Sequence, residues 1–155
     1  DRALEDFNTM RAREGEKLKA DILGRADTIE SLTAKVEQRS PETVKEYRNR
    51  LEVKMQEVLQ NTQIDESRLL TEAAIFADKV AVDEETVRLH SHLSQLRELL
   101  GKGGAVGRKL DFLIQEFNRE ANTIGSKCSD IQIARIVVDI KAEIEKIREQ
   151  VQNIE

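Results

Sequence analysis

The sequence predicts an all-α protein, and three observations support that fold class. Charged residues make up 35% of the chain and hydrophobic residues 39%, whereas aromatic residues make up only 3%. The chain has one proline and seven glycines, fewer turn residues than a β-sandwich or barrel requires. Apolar side chains recur every three or four positions over most of the chain, which is the spacing of one helix face.

Size and composition also exclude several classes of protein. The 155 residues suffice for one ordinary domain. The single cysteine, Cys128, excludes an intrachain disulfide and a cysteine-rich zinc site. No apolar run reaches the about 18 residues that a membrane span needs. Because the chain begins at Asp1 without a signal segment, we expect a cytoplasmic protein and a piece of a longer polypeptide.

Residues 1–62 are predicted to form a long antiparallel helical hairpin, which would be an arm of the domain. Ser40-Pro41-Glu42 is typical of a helix start. Serine caps the free amides, proline fits the first turn, and glutamate stabilises the positive end of the helix dipole. The apolar residues of the first helix are Leu18, Ile22, Ile29, Leu32 and Val36, and those of the second are Val44, Tyr47, Leu51, Met55, Val58 and Leu59.

Residues 63–155 are predicted to form a helical body. Asp65 is a plausible N-cap, a break is expected near Val82-Asp83, and a loop is expected where Gly101, Gly103, Gly104 and Gly107 cluster. The helix after that loop should stop or bend around Gly125. Inward-facing residues are expected to be Leu69, Ala73, Phe76 and Val80, then Leu89, Leu93, Leu96 and Leu100, then Leu110, Leu113, Ile114, Phe117 and Ala121.

The last predicted helix is coiled-coil-like. Its apolar residues alternate between spacings of four and three, which is a heptad pattern. They are Ile133, Val137, Ile140, Ile144, Ile147, Val151 and Ile154. Two interpretations stay open: a core helix of this same domain, or a coiled coil with a second chain.

The first concentration of polar residues lies between Glu84 and His92. On a helix, Glu84, Glu85, Arg88 and His92 fall on one strip beside the leucine stripe. His90 points away from that strip, so a zinc site built from both histidines is not expected. A histidine at the border of a buried stripe and beside carboxylates suits a general base or a metal ligand. The alternative is an ion-pair strip, with Glu84 paired to Arg88.

The second concentration runs from the glycine-rich loop to Lys127. Glycines before a helix expose amides that can bind an anion, and Arg108 and Lys109 add positive charge there. The Gly-Lys-Ser/Thr ending of a P-loop is absent. Residues 101–127 hold five basic side chains against three acidic ones, a local charge of +2 in a chain of net charge −5. This segment could bind a nucleic-acid phosphate, or it could be only a flexible connection.

Two carboxylates one helical turn apart, Glu116 and Glu120, lie within the same segment. Oxygen ligands in this arrangement can hold Mg²⁺ or Mn²⁺, and such an ion could assist phosphodiester hydrolysis. The alternative is a solvated helix face with arginine counter-ions. Of the few aromatic residues, Phe112 and Phe117 are nearest for base stacking, and Phe117 is expected in the core.

Several motifs resemble the bacterial YicC/YloC family. The longest runs from Gly103 to Lys127 and has the sequence GGAVGRKLDFLIQEFNREANTIGSK. Shorter ones are Glu84-Glu85, Arg88-Leu89, Ser91-His92-Leu93, the segment MRAREG at residues 10–15, and the ending IREQVQNIE at residues 147–155. Together they span most of the chain, and only residues from about 25 to 75 match by helical character alone.

This resemblance implies a function. Family members are described as cytoplasmic endoribonucleases that cut single-stranded RNA with a divalent metal, Mn²⁺ or Mg²⁺. It implies homo-oligomers, with a hexamer as the expected assembly, and an N-terminal domain that would make this chain the C-terminal half. The competing class of function is a non-enzymatic helical oligomerisation module or an adaptor in RNA decay.

The resemblance also assigns residue roles. Catalytic roles go to His92, Glu85, Asp111 and Glu120, and metal binding goes to Glu84 and Glu116. RNA phosphate contacts go to Arg88, Arg108, Lys109, Arg119 and Lys127. One position departs from the family pattern: many members have an acidic residue where this chain has Ala81, and the neighbouring Asp83 could compensate for it.

Overall fold

The structure, a computed structural model, describes residues 1–60, 63–103 and 107–154. Within these ranges the chain forms five α-helices and no β-strand, so the predicted all-α class is confirmed. None of the described helices is long and apolar enough to cross a membrane. The helices are α1 (Arg2–Leu59), α2 (Glu66–Val80), α3 (Asp83–Lys102), α4 (Gly107–Lys127) and α5 (Ile131–Ile154).

The predicted hairpin within residues 1–62 is wrong, because α1 is one continuous helix of 58 residues. Pro41 lies inside it and cannot donate the backbone hydrogen bond that a helix interior requires. The carbonyl left without its usual helix donor is that of Glu37, four residues earlier. On the next turn the Thr43 hydroxyl donates to the Ser40 carbonyl at 2.6 Å. The cap-like sequence Ser40-Pro41-Glu42 is therefore accommodated within a helix instead of starting one.

Arg39 shows why the helix continues through the proline. Its guanidinium donates to both carboxylate oxygens of Glu46, each at 2.8 Å, on the far side of Pro41. It also donates to both oxygens of Asp130, at 2.9 and 3.0 Å, just before α5 begins. Asp130 in turn accepts a hydrogen bond from the Ile133 amide at 3.1 Å. These contacts fasten the proline region of α1 to the start of α5.

The chain reverses after α1 instead of at Ser40-Pro41. α2 packs back against α1, and Tyr47 and Phe76 stack face to face with ring centroids 3.9 Å apart. Asp65 caps α2 as predicted, accepting from the Ser67 and Arg68 amides.

The core lies where the middle of α1 meets α3, α4 and α5. The leucine stripe of α3 and all five residues predicted inward on α4 are buried. The break near Val82-Asp83 is confirmed, since α2 ends at Val80 and α3 begins at Asp83. Buried residues from the four packed helices include Ile22, Ile29, Leu89, Leu93, Leu96, Leu110, Phe117, Ile140, Ile144 and Ile147.

Gly103 and Gly125 have different structural settings. Gly103 ends α3 with φ of +72°, a left-handed conformation that favours glycine. Gly104 of the predicted loop falls outside the described residues. α4 does not stop at Gly125 but continues to Lys127. A Cβ atom at Gly125 would lie 3.4 Å from Val137 Cγ1, so α4 and α5 approach closely there.

The heptad seam of α5 faces the inside of its own chain. From Ile133 to Val151 its residues are at most 6% exposed, and α5 packs against α1 and α4. The described part of the seam is therefore used within one chain, which supports the core-helix interpretation.

Candidate functional site

The polar residues of α3 and α4 meet in a pocket between these two helices. α3 contributes Arg88 and His92, which are one turn apart, and α4 contributes Glu116 and Glu120, which are also one turn apart. The pocket has a volume of about 390 Å³. Its lining residues are Arg88, His92, Glu116, Arg119, Glu120 and Thr123.

Three potential metal ligands converge in this pocket. One ligand atom from each of His92, Glu116 and Glu120 lies within 4.8 Å of the others. His92 Nε2 is 3.9 Å from Glu116 Oε2, and the edge of the His92 ring faces Phe117 with centroids 6.2 Å apart. The buried Phe117 ring is therefore an apolar neighbour of the imidazole.

His92 has two buried ring nitrogens, Nδ1 and Nε2, and neither has a hydrogen-bond partner in the described part of the chain. A buried polar atom without a partner costs free energy, and such an atom calls for an explanation such as an ion or water. The 3.9 Å separation from Glu116 is too long for a hydrogen bond. An imidazole in this condition beside two carboxylates has the donor set of a metal site.

Arg88 connects this cluster to the other acidic residues. Its Nε donates to Glu120 Oε1 at 2.9 Å, and this bond raises the pKa of Arg88. Its terminal nitrogens lie 3.6 Å from Glu85 Oε1 and 3.7 Å from Glu84 Oε2. Arg119, largely exposed, lies 3.9 Å from Glu116 Oε2. Two guanidinium groups therefore border the cluster.

Glu85 is buried next to the cluster and is held by Lys127. Lys127 Nζ donates to Glu85 Oε1 at 2.8 Å and to the Ala81 carbonyl at 3.2 Å. Burial favours the protonated carboxyl, but the hydrogen bond from Lys127 and the other interactions outweigh it and lower the pKa of Glu85. The second oxygen, Glu85 Oε2, is buried and has no partner among the described residues. Ala81 and Asp83 are not among the clustered ligands.

The structure brings together some of the residues predicted from sequence and separates others. His92, Glu116, Glu120, Arg88 and Arg119 line one pocket, and Glu85 and Lys127 adjoin it through Arg88. The side chain of Glu84 is 82% exposed and outside the three-residue cluster. Asp111 is exposed on α4, roughly 140° around the helix from Glu116. Arg108 and Lys109 line a second pocket near the start of α4.

Sequence reasoning assigned no site role to Thr123 or Lys102, although both line these pockets. Thr123 lies three residues after Glu120, and Lys102 lies four residues after Glu98. That spacing places each pair on a shared helix face, and it is the sequence feature from which both residues could have been identified. The expected separation of the two histidines is observed, since His90 Nε2 lies 2.6 Å from Glu37 Oε1 instead of joining His92.

Comparisons with known proteins match this chain to one family and to named relatives from two bacteria. Residues 36–155 match the model of the family described as "Endoribonuclease YicC-like, C-terminal". A relative from Clostridioides difficile named "Probable endoribonuclease YicC" is 49% identical over 154 residues, which cover 99% of this chain and 53% of the relative. One of the same name from Haemophilus influenzae is 43% identical over 155 residues, covering 100% of this chain and 53% of the relative.

The matches span nearly all of this chain but only part of each relative. The chain spans about half the length of the curated relatives it matches. The match to the family model includes all of α2, α3, α4 and the described part of α5, and hence every residue of the pocket. The chain therefore belongs to the family of YicC-like endoribonuclease C-terminal domains.

Proposed function

We propose that this chain is the C-terminal half of a metal-assisted endoribonuclease that hydrolyses single-stranded RNA during RNA turnover. The observation that carries the proposal is His92, whose two buried nitrogens lack partners while Glu116 and Glu120 converge beside it. The names of the two relatives support endoribonuclease activity as the class of function.

His92, Glu116 and Glu120 would hold the ion. Mn²⁺ and Mg²⁺ bind oxygen ligands at about 2.1 Å, so two ligand atoms on one ion lie at most roughly 4.2 Å apart. The ligand atoms of His92, Glu116 and Glu120 lie within 4.8 Å of one another, which is slightly wider. Small side-chain rotations would bring them to the shorter distance. An imidazole nitrogen suits Mn²⁺ better than Mg²⁺. The ion would supply positive charge for the developing phosphorane and lower the pKa of attacking water.

Arg88 and Arg119 would contact the phosphate, since they border the carboxylates on the two facing helices. Guanidinium groups suit this role because they donate paired hydrogen bonds to phosphate oxygens. The ligand atoms lie below the surface, and the Glu120 side chain is only 4% exposed. A flexible single strand could bend into this groove, whereas a stiff duplex could not.

The decisive experiment measures cleavage of a fluorescent single-stranded RNA by the protein at its full natural length, with Mn²⁺, with Mg²⁺ or with chelator. Glu116→Gln and His92→Ala should each abolish cleavage because each removes a metal ligand. Circular dichroism should show both variants folded. The matched control is Glu149→Gln, since Glu149 is an exposed acid on α5 away from the pocket; this variant should cut like the parent.

A direct metal measurement accompanies the activity assay. Mn²⁺ should raise the thermal midpoint of the parent, because an ion that binds only the folded state stabilises it. The Glu116→Gln variant should show no such shift. Full cleavage by both site variants, or equal Mn²⁺ shifts in parent and variant, would contradict the assignment of these residues.

The competing proposal is a non-enzymatic helical module, which would serve oligomerisation or act as an adaptor in RNA decay. Exposed Leu4, Phe7 and Met10 on the outer end of α1 favour an assembly role. A homo-oligomer, an N-terminal domain as partner and a cytoplasmic location stay predictions. Cross-linked oligomers combined with no RNA affinity would favour this proposal over the nuclease.

A further inference from the structure

A second pocket lies at the other end of the α3–α4 interface. Its volume of about 410 Å³ is in the range of small-ligand sites. Leu99 and Leu113 contribute apolar surface, and Phe112 beside them is 58% exposed. The lining residues are Gln95, Glu98, Leu99, Lys102, Arg108, Lys109, Phe112 and Leu113.

This pocket and the pocket with the metal-ligand cluster both lie between α3 and α4. On α4, Lys109, Phe112 and Glu116 lie within about 60° of one another around the helix axis. On α3, Leu99 and His92 likewise share a face. Phe112 is one turn from Glu116, an axial distance of about 6 Å, and Leu99 is two turns from His92, about 10 Å. A strand that places a phosphate at the cluster therefore extends over Phe112.

The charge of the second pocket complements a nucleic-acid strand. Three basic side chains, those of Lys102, Arg108 and Lys109, line it together with one acid, Glu98. Glu98 is paired with Lys102 at 3.2 Å. Arg108 and Lys109 form no ion pair with any residue that the structure describes. Their charges are thus available to an incoming anion.

We propose that this pocket binds a nucleotide of the RNA strand directly beside the cleaved bond, a proposal that rests on the nuclease function above. The base stacks on the exposed face of Phe112, and Lys109 and Arg108 hold the adjoining phosphate. An aromatic face next to free cations is the chemistry by which proteins bind single-stranded nucleic acid. Every base has a stacking face, so this pocket adds affinity with little sequence preference.

The first test measures binding of a fluorescent single-stranded RNA in chelator, where metal-dependent cutting is prevented. Phe112→Ala should raise the Kd about tenfold, because base stacking on one aromatic side chain has roughly that effect. Phe112→Tyr keeps an aromatic face and should bind like the parent. Ile75→Ala is the control, since Ile75 is equally exposed, at 57%, but lies on α2 outside both pockets.

The second test moves the change to the RNA. A series of oligonucleotides carries one abasic position each, scanned along the strand. One position should weaken binding to the parent about tenfold and have no effect on Phe112→Ala, because the stacking partner is then already absent. The loss at that position and the loss from the variant should therefore not add.

The cationic half of the pocket has its own readout. Lys109→Ala should reduce the slope of log Kd against log salt by about one, the amount expected for one lost phosphate contact. Lys54→Ala, an exposed lysine on α1, should leave that slope unchanged. Equal slopes for parent and Lys109→Ala would contradict the phosphate contact.

The outcomes separate this proposal from the proposed function. If the parent binds and cuts RNA but Phe112→Ala and the abasic series show no change, the stacking pocket is wrong and the nuclease stands. If the parent neither binds nor cuts single-stranded RNA, the nuclease proposal fails and this one fails with it. Capture of an acidic peptide by this pocket without RNA affinity would also overturn it.

Discussion

At the scale of single residues, buried polar side chains gather at the interface of α3 and α4. Glu85 and Glu120 are 2% and 3% exposed, and each has a cationic partner, Lys127 and Arg88 respectively. Neither ring nitrogen of His92 has a hydrogen-bond partner in the part of the chain described. Glu85 Oε2 is also buried without a partner in the described ranges, but Lys127 holds Glu85 through its other oxygen. Because a protein retains unpaired buried polar atoms mainly where function uses them, His92 is the strongest candidate of the three for a functional role.

Lys127, to which the resemblance assigns an RNA phosphate contact, donates a hydrogen bond to the buried carboxylate of Glu85. Lys127→Ala should lower the free energy of unfolding by about 1–3 kcal/mol, because it leaves a buried carboxylate without its donor. Urea denaturation followed by circular dichroism measures this. Lys54→Ala should change the free energy by less than about 0.5 kcal/mol, as exposed substitutions do.

A double variant distinguishes the charge effect from lost packing. Adding Glu85→Gln to Lys127→Ala should recover part of the lost stability, since a neutral amide is less costly to bury without a partner than a carboxylate. If the two losses simply add, the Glu85–Lys127 pair does not have the proposed role.

The environment of Asp130 predicts that the free energy of unfolding decreases in acid. The hydrogen bonds from Arg39 lower the pKa of Asp130 below its ordinary value, which is about 3.9. A carboxyl whose pKa is lower in the folded state stabilises the fold above the unfolded pKa, and this stability is lost as the pH falls through the folded value. We expect the free energy of unfolding, measured by urea denaturation, to decrease below a pH of about 4. Asp130→Asn should flatten that decrease, and an unchanged slope would contradict the role of Asp130.

At the scale of elements, the helices with a strong apolar period were predictable and the proline segment was not. The leucines of α3 and the apolar face of α4 are buried as their spacing predicts. Ser40-Pro41-Glu42 has the local chemistry of a helix start, yet α1 runs through it. The contacts of Arg39 with Glu46 and Asp130 span this point, and no local pattern reveals them.

Pro41 separates the two architectures experimentally. In a continuous helix Pro41→Ala restores a backbone donor and should raise the free energy of unfolding by about 1–3 kcal/mol. Ser40→Ala should have little effect, because Ser40 is not at a helix end. In a hairpin, by contrast, Ser40→Ala would remove an N-cap and cost about 1 kcal/mol. Thermal and urea unfolding of both variants decide between them.

At the scale of the whole molecule, α1 extends far beyond the core. Its 58 residues correspond to about 87 Å at 1.5 Å per residue. Every residue from 1 to 17 is exposed, and the first fully buried one is Ile22. The outer turns of α1 therefore contribute little to the stability of the described fold.

Two truncations test whether the outer turns of α1 contribute to the stability of the fold. Removing residues 1–17 should change the free energy of unfolding by less than about 1 kcal/mol, because no buried apolar side chain is lost. Removing residues 1–24 should cost about 2 kcal/mol or more, since Ile22 is then lost from the core. Urea denaturation measures both, and a large loss from the shorter deletion would show that the outer turns support the fold.

The sequence by itself determined the helical class, the buried faces of α3, α4 and α5, and most of the residues that line the pocket. These follow from periodicity, which depends only on neighbours three and four positions apart, and from motifs that resemble a known family. Only the tertiary structure decided that α1 is continuous and that the α5 seam packs within its own chain. It alone also separated His92, Glu116 and Glu120 from the exposed Glu84 and Asp111. The physical reason is that these outcomes depend on contacts between residues far apart in the chain, where packing and burial outweigh local preference.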